Sequence, residues 1–377
     1  MSPRALVAVA DAHLRVVNAM LAAWTRSLGI RNAGVPASRR IAVIRYGNIG
    51  DHIAALATYA SIRQLSPDGH VVLIASPGGK PFGRELLNLQ GAFNEIVEMP
   101  RLRGVARRVA LRDALRERRI DAVVYLPSDK AGPSQVALDA LAIRAAGVRN
   151  AGLFTTAKTR WFRRAQAGTR IASRECERLL RCVVAAAQPI APAFAADMPV
   201  DELGLPGRVI AVCPGAGIEL NRWPEEYYAI LAARLVDTGW SIAVLGGPNE
   251  TEAAARLVAG LPPGRVRNFA GAGDLVRAAS VLRGCSCAVT NDTALAHLAG
   301  LVGIPVVTVF SSRDYPGAWL AGGQTLGVRH TVSCEVCYRR TCAHMTCLRS
   351  IGVEDVIDAI RRVLDGETGM IIHQRAS

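Results

Sequence analysis

The chain has 377 residues, half of them apolar and 20% charged, which excludes a disordered protein and exceeds what one hydrophobic core usually serves. Its formal charge of +14 is unevenly placed, with +15 in residues 1–200 and −1 in the remainder. Nearly all of the excess is arginine, a residue suited to bidentate contact with phosphate or carboxylate, although a biased base composition would give the same preference.

Residues 1–38 form a helical extension. The stretch RALVAVADAHLRVVNAMLAAWTRSLGIR is apolar and helix-like, but Asp11, His13, Arg15 and Arg26 interrupt it. Its uncharged run from Val16 to Thr25 is about half a membrane span, and no small-residue cleavage site follows a clean apolar core. A cytoplasmic location is expected. The helix either packs on the body of the protein or lies in a membrane surface with Trp24 and the arginines at the interface.

From residue 39 the pattern alternates. Near-continuous Val/Ile/Leu runs at 41–46, 71–76, 122–126, 209–214, 241–247, 287–290 and 306–310 are separated by helical patterns of ten to fifteen residues. Such runs predict parallel strands covered on both faces. The Pro- and Ala-rich stretch 188–207 loses this periodicity. The sequence therefore predicts an α/β protein of two doubly wound, Rossmann-like domains facing across a cleft. These span 39–190 and 208–350, with a linker at 191–207 and a final helix and tail over 351–377.

Ligands of open α/β sheets bind beyond the carboxyl ends of the strands. The first such end is RYGNIGD, 45–51. Its Gly47-x-x-Gly50 spacing lacks the third glycine of a dinucleotide fingerprint, and Asp51 would repel a phosphate. The other reading of Asp51 is a helix-capping residue. The second end, CPGAGIELNRWPEE, follows a strand with Gly215, Ala216 and Gly217, and Trp223-Pro224 then opens a helix. The third, LGGPNE, places Glu250 either at a ribose hydroxyl pair or in the first turn of the next helix. In the fourth, VTNDTALAHLAG, Asn291, Asp292, Thr293 and Ala294 start a helix whose N–H groups suit an anion. His297 shares the face of Thr293, as a structural histidine or one that reaches a phosphate.

Taken in order, GNIGD, PGAG…NRWPEE, LGGPNE and NDTALAHLAG…GIPVVTVF resemble glycosyltransferase family 9, the heptosyltransferases of lipopolysaccharide assembly, over about residues 40–365. The resemblance implies the GT-B fold, with an acceptor-side first domain and a second domain for a nucleotide sugar such as ADP-heptose. It implies inverting transfer that needs no metal or other cofactor. Asp51 falls on the family's catalytic base, with Gly47, Asn48 and Gly50 on the acceptor side. Ala216, Gly217, Asp292, Thr293 and Ala294 fall on the diphosphate loops, and Glu250 on the ribose acid. Where the family commonly has a lysine two residues before Trp-Pro, this chain has Asn221 followed by Arg222, which leaves Arg222 to supply the charge or donor binding to be altered.

The basic first half suits an acidic glycolipid acceptor or the anionic cytoplasmic face of the inner membrane. The run 101–119, RLRGVARRVALRDALRERR, dominates that charge and reads equally as a solvated helix face. No aromatic interleaving or binding motif supports a nucleic-acid partner. Cys176, Cys182, Cys213, Cys285 and Cys287 read as buried thiols. Cys334, Cys337, Cys342 and Cys347, spaced C-x2-C-x4-C-x4-C, read as a structural Zn or Fe site, as free thiols, or as disulfides in an oxidising compartment. Some family relatives that modify autotransporter proteins carry a four-cysteine metal finger, so protein is an alternative acceptor. A catalytically silent GT-B protein is a further alternative, suggested by Asn221.

Overall fold

The computed structural model describes residues 3–31, 40–77, 83–89, 91–128, 131–152, 174–183 and 198–373. It divides into two compact units, residues 1–169 with 175–192, and residues 170–174 with 193–377. Each is built on one parallel sheet. The first part of the expected linker, residues 191–197, lies outside the described residues.

The first unit has a five-stranded sheet in the order β3-β2-β1-β4-β5. Its strands are β1 (Arg40–Gly47), β2 (His70–Pro77), β3 (Glu95–Glu98), β4 (Ala122–Tyr125) and β5 (Asn150–Gly152). Central β1 pairs with β2 over its whole length, from Arg40 opposite His70 to Gly47 opposite Pro77. Ile41 to Ile44 are fully buried, as a strand covered on both faces requires.

Three helices cover one face of this sheet: α1 (Pro3–Ser27), α5 (Gly104–Glu117) and α6 (Pro133–Ala145). Their inner residues Leu21, Leu111, Leu115, Val136, Ala140 and Ile143 share one core with Ala42, Ile44, Val72 and Val123. Helix α1 therefore packs on the body of the unit. On the β1-to-β2 connection lie the short α2 (Ile49–Ile53) and α3 (Leu56–Leu65), followed by α4 (Arg84–Leu89) between β2 and β3. Helix α3 packs with α7 (Glu175–Val183). The chain steps outward through β2 and β3 and returns to β4, so right-handed crossovers put α3 and α5 on opposite faces.

The second unit has seven strands in the order β12-β11-β10-β9-β6-β7-β8. They are β6 (Val209–Cys213), β7 (Ser241–Val244), β8 (Val266–Asn268), β9 (Cys287–Asn291), β10 (Val306–Phe310), β11 (Thr325–His330) and β12 (Gly369–His373). Its helices are α8 (Glu225–Asp237), α9 (Thr251–Ala259), α10 (Leu275–Arg283), α11 (Ala294–Leu301), the short α12 (Thr346–Arg349) and α13 (Val353–Leu364). Trp223 is buried beneath them. Its indole N–H donates to the Ile351 carbonyl at 2.9 Å, and its ring meets Tyr227 and Tyr228 edge-on. The tail expected after the final helix contains β12, which adds to β11 as a parallel edge strand.

Candidate active site

Two clusters form at strand ends, one in each unit. In the first, β1 stops at Gly47, Asn48 caps α2, and Asp51 is the third residue of that helix. The Asp51 carboxylate turns back and accepts the Asn48 backbone N–H on Oδ2 at 2.9 Å. Asp51 is thus a capping residue of α2, reciprocal in sense to the cap expected from the sequence. This occupies one oxygen. The other, Oδ1, lies 3.6 Å from the Arg45 guanidinium, and the side chain remains 19% exposed.

Arg45 is wholly buried, at the end of a strand where the pattern favours an apolar residue. Its guanidinium donates to Glu175 Oε1 at 3.0 Å and to the Pro127 carbonyl at 3.0 Å. Glu175 is itself held by Arg178 through both oxygens, at 2.6 and 2.8 Å. A buried charge is tolerated only when paired and hydrogen-bonded, and this chain of Arg178, Glu175, Arg45 and Asp51 meets that condition. Beneath it, His52 Nδ1 lies 2.9 Å from the Tyr59 hydroxyl. Burial first, and then the neighbouring Arg45 charge, push the His52 pKa down to about 3, so the imidazole is neutral. Gly50 is the second residue of α2, directly before Asp51.

In the second unit the β6 loop, Pro214 to Gly217, lies against the β7 and β9 loops. Glu250 accepts the Gly247 N–H on Oε2 at 2.7 Å, the same reciprocal cap that Asp51 makes. Its carboxylate fills the space where a Cβ on Gly215 would stand, so a side chain there would displace it. Arg222 folds its guanidinium over the Ala216 carbonyl, at 3.2 Å from Nε and 3.1 Å from a terminal nitrogen. Both Glu250 and Arg222 line a cavity of about 410 Å³, a size suited to a small ligand. Pro214, Ala253, Met345 and Leu348 supply its apolar walls, with Asn249, Glu219 and Arg349 among its polar groups.

The remaining predicted donor residues divide by role. Asn291 is fully buried, and its amide is taken up holding loops together. It donates to the Pro214 and Gly215 carbonyls at 2.7 and 3.1 Å and accepts the Trp223 N–H at 3.0 Å. Asn221, also buried, donates to Asp292 Oδ2 at 3.0 Å and accepts from the Ser311 hydroxyl at 2.9 Å. It is a neutral tie between the loops. Thr293 caps α11 ahead of Ala294, while His297 lies buried with its ring edge-on to Trp319. Ala216, Gly217, Asp292, Thr293, Ala294 and His297 do not line the cavity. Met345, Leu348 and Arg349, which do, carry no sequence signal that would have selected them.

Cys334, Cys337 and Cys342, between β11 and α12, and Cys347, within α12, are half-buried free thiols. Burial raises the Cys347 pKa, and the Cys334 and Cys337 charges raise it further. Among the described residues, no three His, Cys, Asp or Glu side chains are gathered as a metal centre requires. Three of the four non-glycine residues described with positive φ fall here: Val336, Tyr338 and Met345. Such angles are strained for a β-branched valine. Main-chain bonds from Val336 to Ser312 and from Tyr338 to Arg313, with Glu335 paired to buried Arg329 at 3.0 Å, hold the segment against the loop after β10. Of the other cysteines, Cys213, Cys285 and Cys287 are buried as expected, whereas Cys176 is partly exposed. The Cys182 side chain lies outside the described residues.

Residues 180–348 match the family model described as glycosyltransferase family 9 (heptosyltransferase). Over 113 residues the chain is 34% identical to lipopolysaccharide heptosyltransferase 2 of Escherichia coli K12, covering 28% of this chain and 32% of that protein. The chain thus spans about a third of the length of the curated relatives it matches. The fold matches the structure of E. coli ADP-heptose lps heptosyltransferase II with a TM-score of 0.59 at 21% identity, over 86% of this chain and 98% of the other. It also matches the dodecameric iron-containing heptosyltransferase TibC in complex with ADP-D-beta-D-heptose, at TM-score 0.52 and 12% identity, over 88% and 77% of the two chains. Residues 180–348 thus resemble glycosyltransferase family 9, and the two parallel-sheet α/β units share the fold of the GT-B heptosyltransferase structures.

Proposed function

We propose that this protein is an inverting glycosyltransferase that moves heptose from ADP-heptose, or a similar nucleotide sugar, to a hydroxyl of a lipopolysaccharide-core or related acidic glycolipid. The observation that carries the reading is Asp51, a partly exposed carboxylate fixed by the Asn48 N–H and by buried Arg45. A general base needs this fixed position together with access to the proton it takes.

The acceptor oxygen attacks the anomeric carbon, the bond from that carbon to the diphosphate oxygen breaks, and Asp51 takes the hydroxyl proton. Gly47, Asn48 and Gly50 leave the approach to the carboxylate open. The cavity holds the nucleoside, with Glu250 accepting from ribose hydroxyls and Pro214, Met345 and Leu348 against the base. Charge on the departing diphosphate is met by Arg222, by the 216–217 loop, and by the N–H groups that Asp292, Thr293 and Ala294 present at the start of α11. Asn221 and Asn291 position these loops, and His297 supports the same helix. In this scheme the protein's own N–H groups and Arg222 replace a metal ion. The proposed site of action is the cytoplasmic side of the inner membrane.

A protein acceptor is the second reading, favoured by the four-cysteine segment, whose TibC neighbour is iron-containing by name. As they stand here, the four thiols do not fit a closed metal centre. No step of the transfer is routed through them.

The test is Asp51→Asn. Transfer should fall by roughly 10²–10⁴-fold, the usual contribution of a general base, with ADP binding by calorimetry unchanged. Wild-type turnover in that variant would overturn the assignment. Mass spectrometry of the product separates glycolipid from protein acceptors. Metal analysis of the purified protein decides whether the cysteines bind Zn or Fe.

A further inference from the structure

We propose that the outer face of α1, α6 and α5 is a docking surface for an anionic lipid bilayer. It gives the peripheral membrane contact of the proposed function a specific surface, and rests on that reading only for which membrane is met.

The observation is an apolar band on the solvent side of three adjacent helices. Helix α1 turns Leu21 and Thr25 inward, while Val16, Met20 and Trp24, four residues apart, are 57, 67 and 42% exposed. On α6, Leu138 and Leu141 stand outward. On α5 and the residues before it, Leu102, Val105 and Val109 do the same. These eight are the majority of the 13 large hydrophobic side chains exposed among the described residues. The helices lie side by side, α6 touching both α1 and α5. Arg144 Nε of α6 donates to the Leu28 carbonyl just after α1, and Arg116 of α5 to the Ala145 carbonyl of α6, each at 2.7 Å. The band therefore belongs to one layer.

That layer also carries a dense run of positive charge. Residues 101–119 hold eight arginines against two acids, and Arg101, Arg103, Arg116 and Arg119 are exposed. On α1, Arg15 and Arg26 are exposed beside the apolar stripe. A second copy of the chain would set these arginines against their own kind. A nucleic acid would meet the charge but leave Val105 and Met20 without a partner. A bilayer with anionic headgroups accepts both: apolar side chains sink below the headgroups, Trp24 sits at the boundary, and arginine stems lie along the apolar surface with their charges outward. The contact is peripheral, since no described helix is long and apolar enough to cross a membrane.

The test is co-sedimentation of the full chain with vesicles containing neither nucleotide sugar nor lipopolysaccharide. Binding to phosphatidylethanolamine–phosphatidylglycerol vesicles should exceed binding to phosphatidylcholine by about tenfold, and weaken in high salt. Met20→Ser with Trp24→Ser and Val105→Ser should reduce it about tenfold, as should Arg101→Glu with Arg103→Glu. Leu89→Ser and Ile230→Ser, on exposed residues elsewhere, should leave it unchanged. All these side chains are exposed, so thermal melts of the variants should match the wild type. Absence of vesicle binding would overturn the proposal, as would binding indifferent to the face variants. A dimer by light scattering that the Met20, Trp24 and Val105 changes dissolve would identify a second copy as the occupant, and would also overturn it. Heptosyl transfer to a soluble acceptor fragment is a separate measurement, so failure here is distinguishable from failure of the proposed reaction.

Discussion

Gly47 and Asp51 occupy each other's space: a Cβ on Gly47 would stand 2.6 Å from Asp51 Cγ and 2.9 Å from its Oδ2. The carboxylate reaches the Asn48 N–H only because residue 47 has no side chain. Gly47→Ala should therefore displace Asp51. We expect a destabilisation of about 1–3 kcal/mol, typical of overpacking, and a fall in kcat much larger than any change in KM for the donor. Steady-state kinetics beside a urea melt checks both.

Glu250 and Gly215 make the corresponding pair in the second unit. Gly215→Ala should push the Glu250 carboxylate out of place, and Glu250→Gln should weaken its acceptor strength. Each is expected to raise the Kd for ADP by roughly 10–100-fold, the effect of losing a charge-assisted hydrogen bond. Because both act through one carboxylate, the double variant should be little worse than Gly215→Ala alone, as isothermal calorimetry would show.

Arg45 is buried with two carboxylates within 4 Å. Arg45→Met leaves Glu175 with Arg178 as its remaining charged partner and should cost about 3–5 kcal/mol of stability. Adding Glu175→Gln should restore part of that loss. Recovery in a denaturant melt, without recovery of turnover, would separate the structural role of Arg45 from its hold on Asp51.

His52 provides a pH prediction. Its pKa is about 3 in the folded chain against about 6.5 when exposed, so between these values the unfolded state binds the extra proton. Stability contributed by the neutral ring is complete above about pH 6.5 and is lost as pH falls toward 3, by up to ~5 kcal/mol. His52→Gln, which keeps a side-chain partner for Tyr59, should flatten this part of the stability–pH curve. An unchanged slope in urea melts between pH 6 and 4 would contradict it.

The strands that announced themselves were those buried on both faces. IAVI in β1, VVLI in β2 and VIAVC in β6 are unbroken apolar runs because parallel central strands have no wet side. Edge strands were silent: EIVE in β3 alternates with charge, while VRN in β8 and NAG in β5 are too short to show a period. In β11 the run is broken by Gly327, which Met370 packs against, and by Arg329, whose charge is neutralised by Glu335. The candidate site divides in the same way. Asp51, Arg222 and Glu250 stand directly after strands, where chain order exposes them. Glu175 meets Arg45 across 130 positions, and Met345 and Leu348 reach the cavity from the cysteine segment. Such meetings are made by tertiary packing and leave no local pattern.

The reciprocal caps at Asn48–Asp51 and Gly247–Glu250 recur at Gly352–Asp355, where no substrate role is proposed. The device therefore belongs first to helix starts. Its by-product at the two former places is a carboxylate whose rotamers are frozen before any substrate arrives. Ordering a long side chain on binding forfeits about 0.5–1.5 kcal/mol, and here folding has already met that loss. Side-chain length then matters as much as charge. Asp51→Glu or Glu250→Asp would keep the acid, break the closed turn that holds it, and leave a mobile group in place of a fixed one.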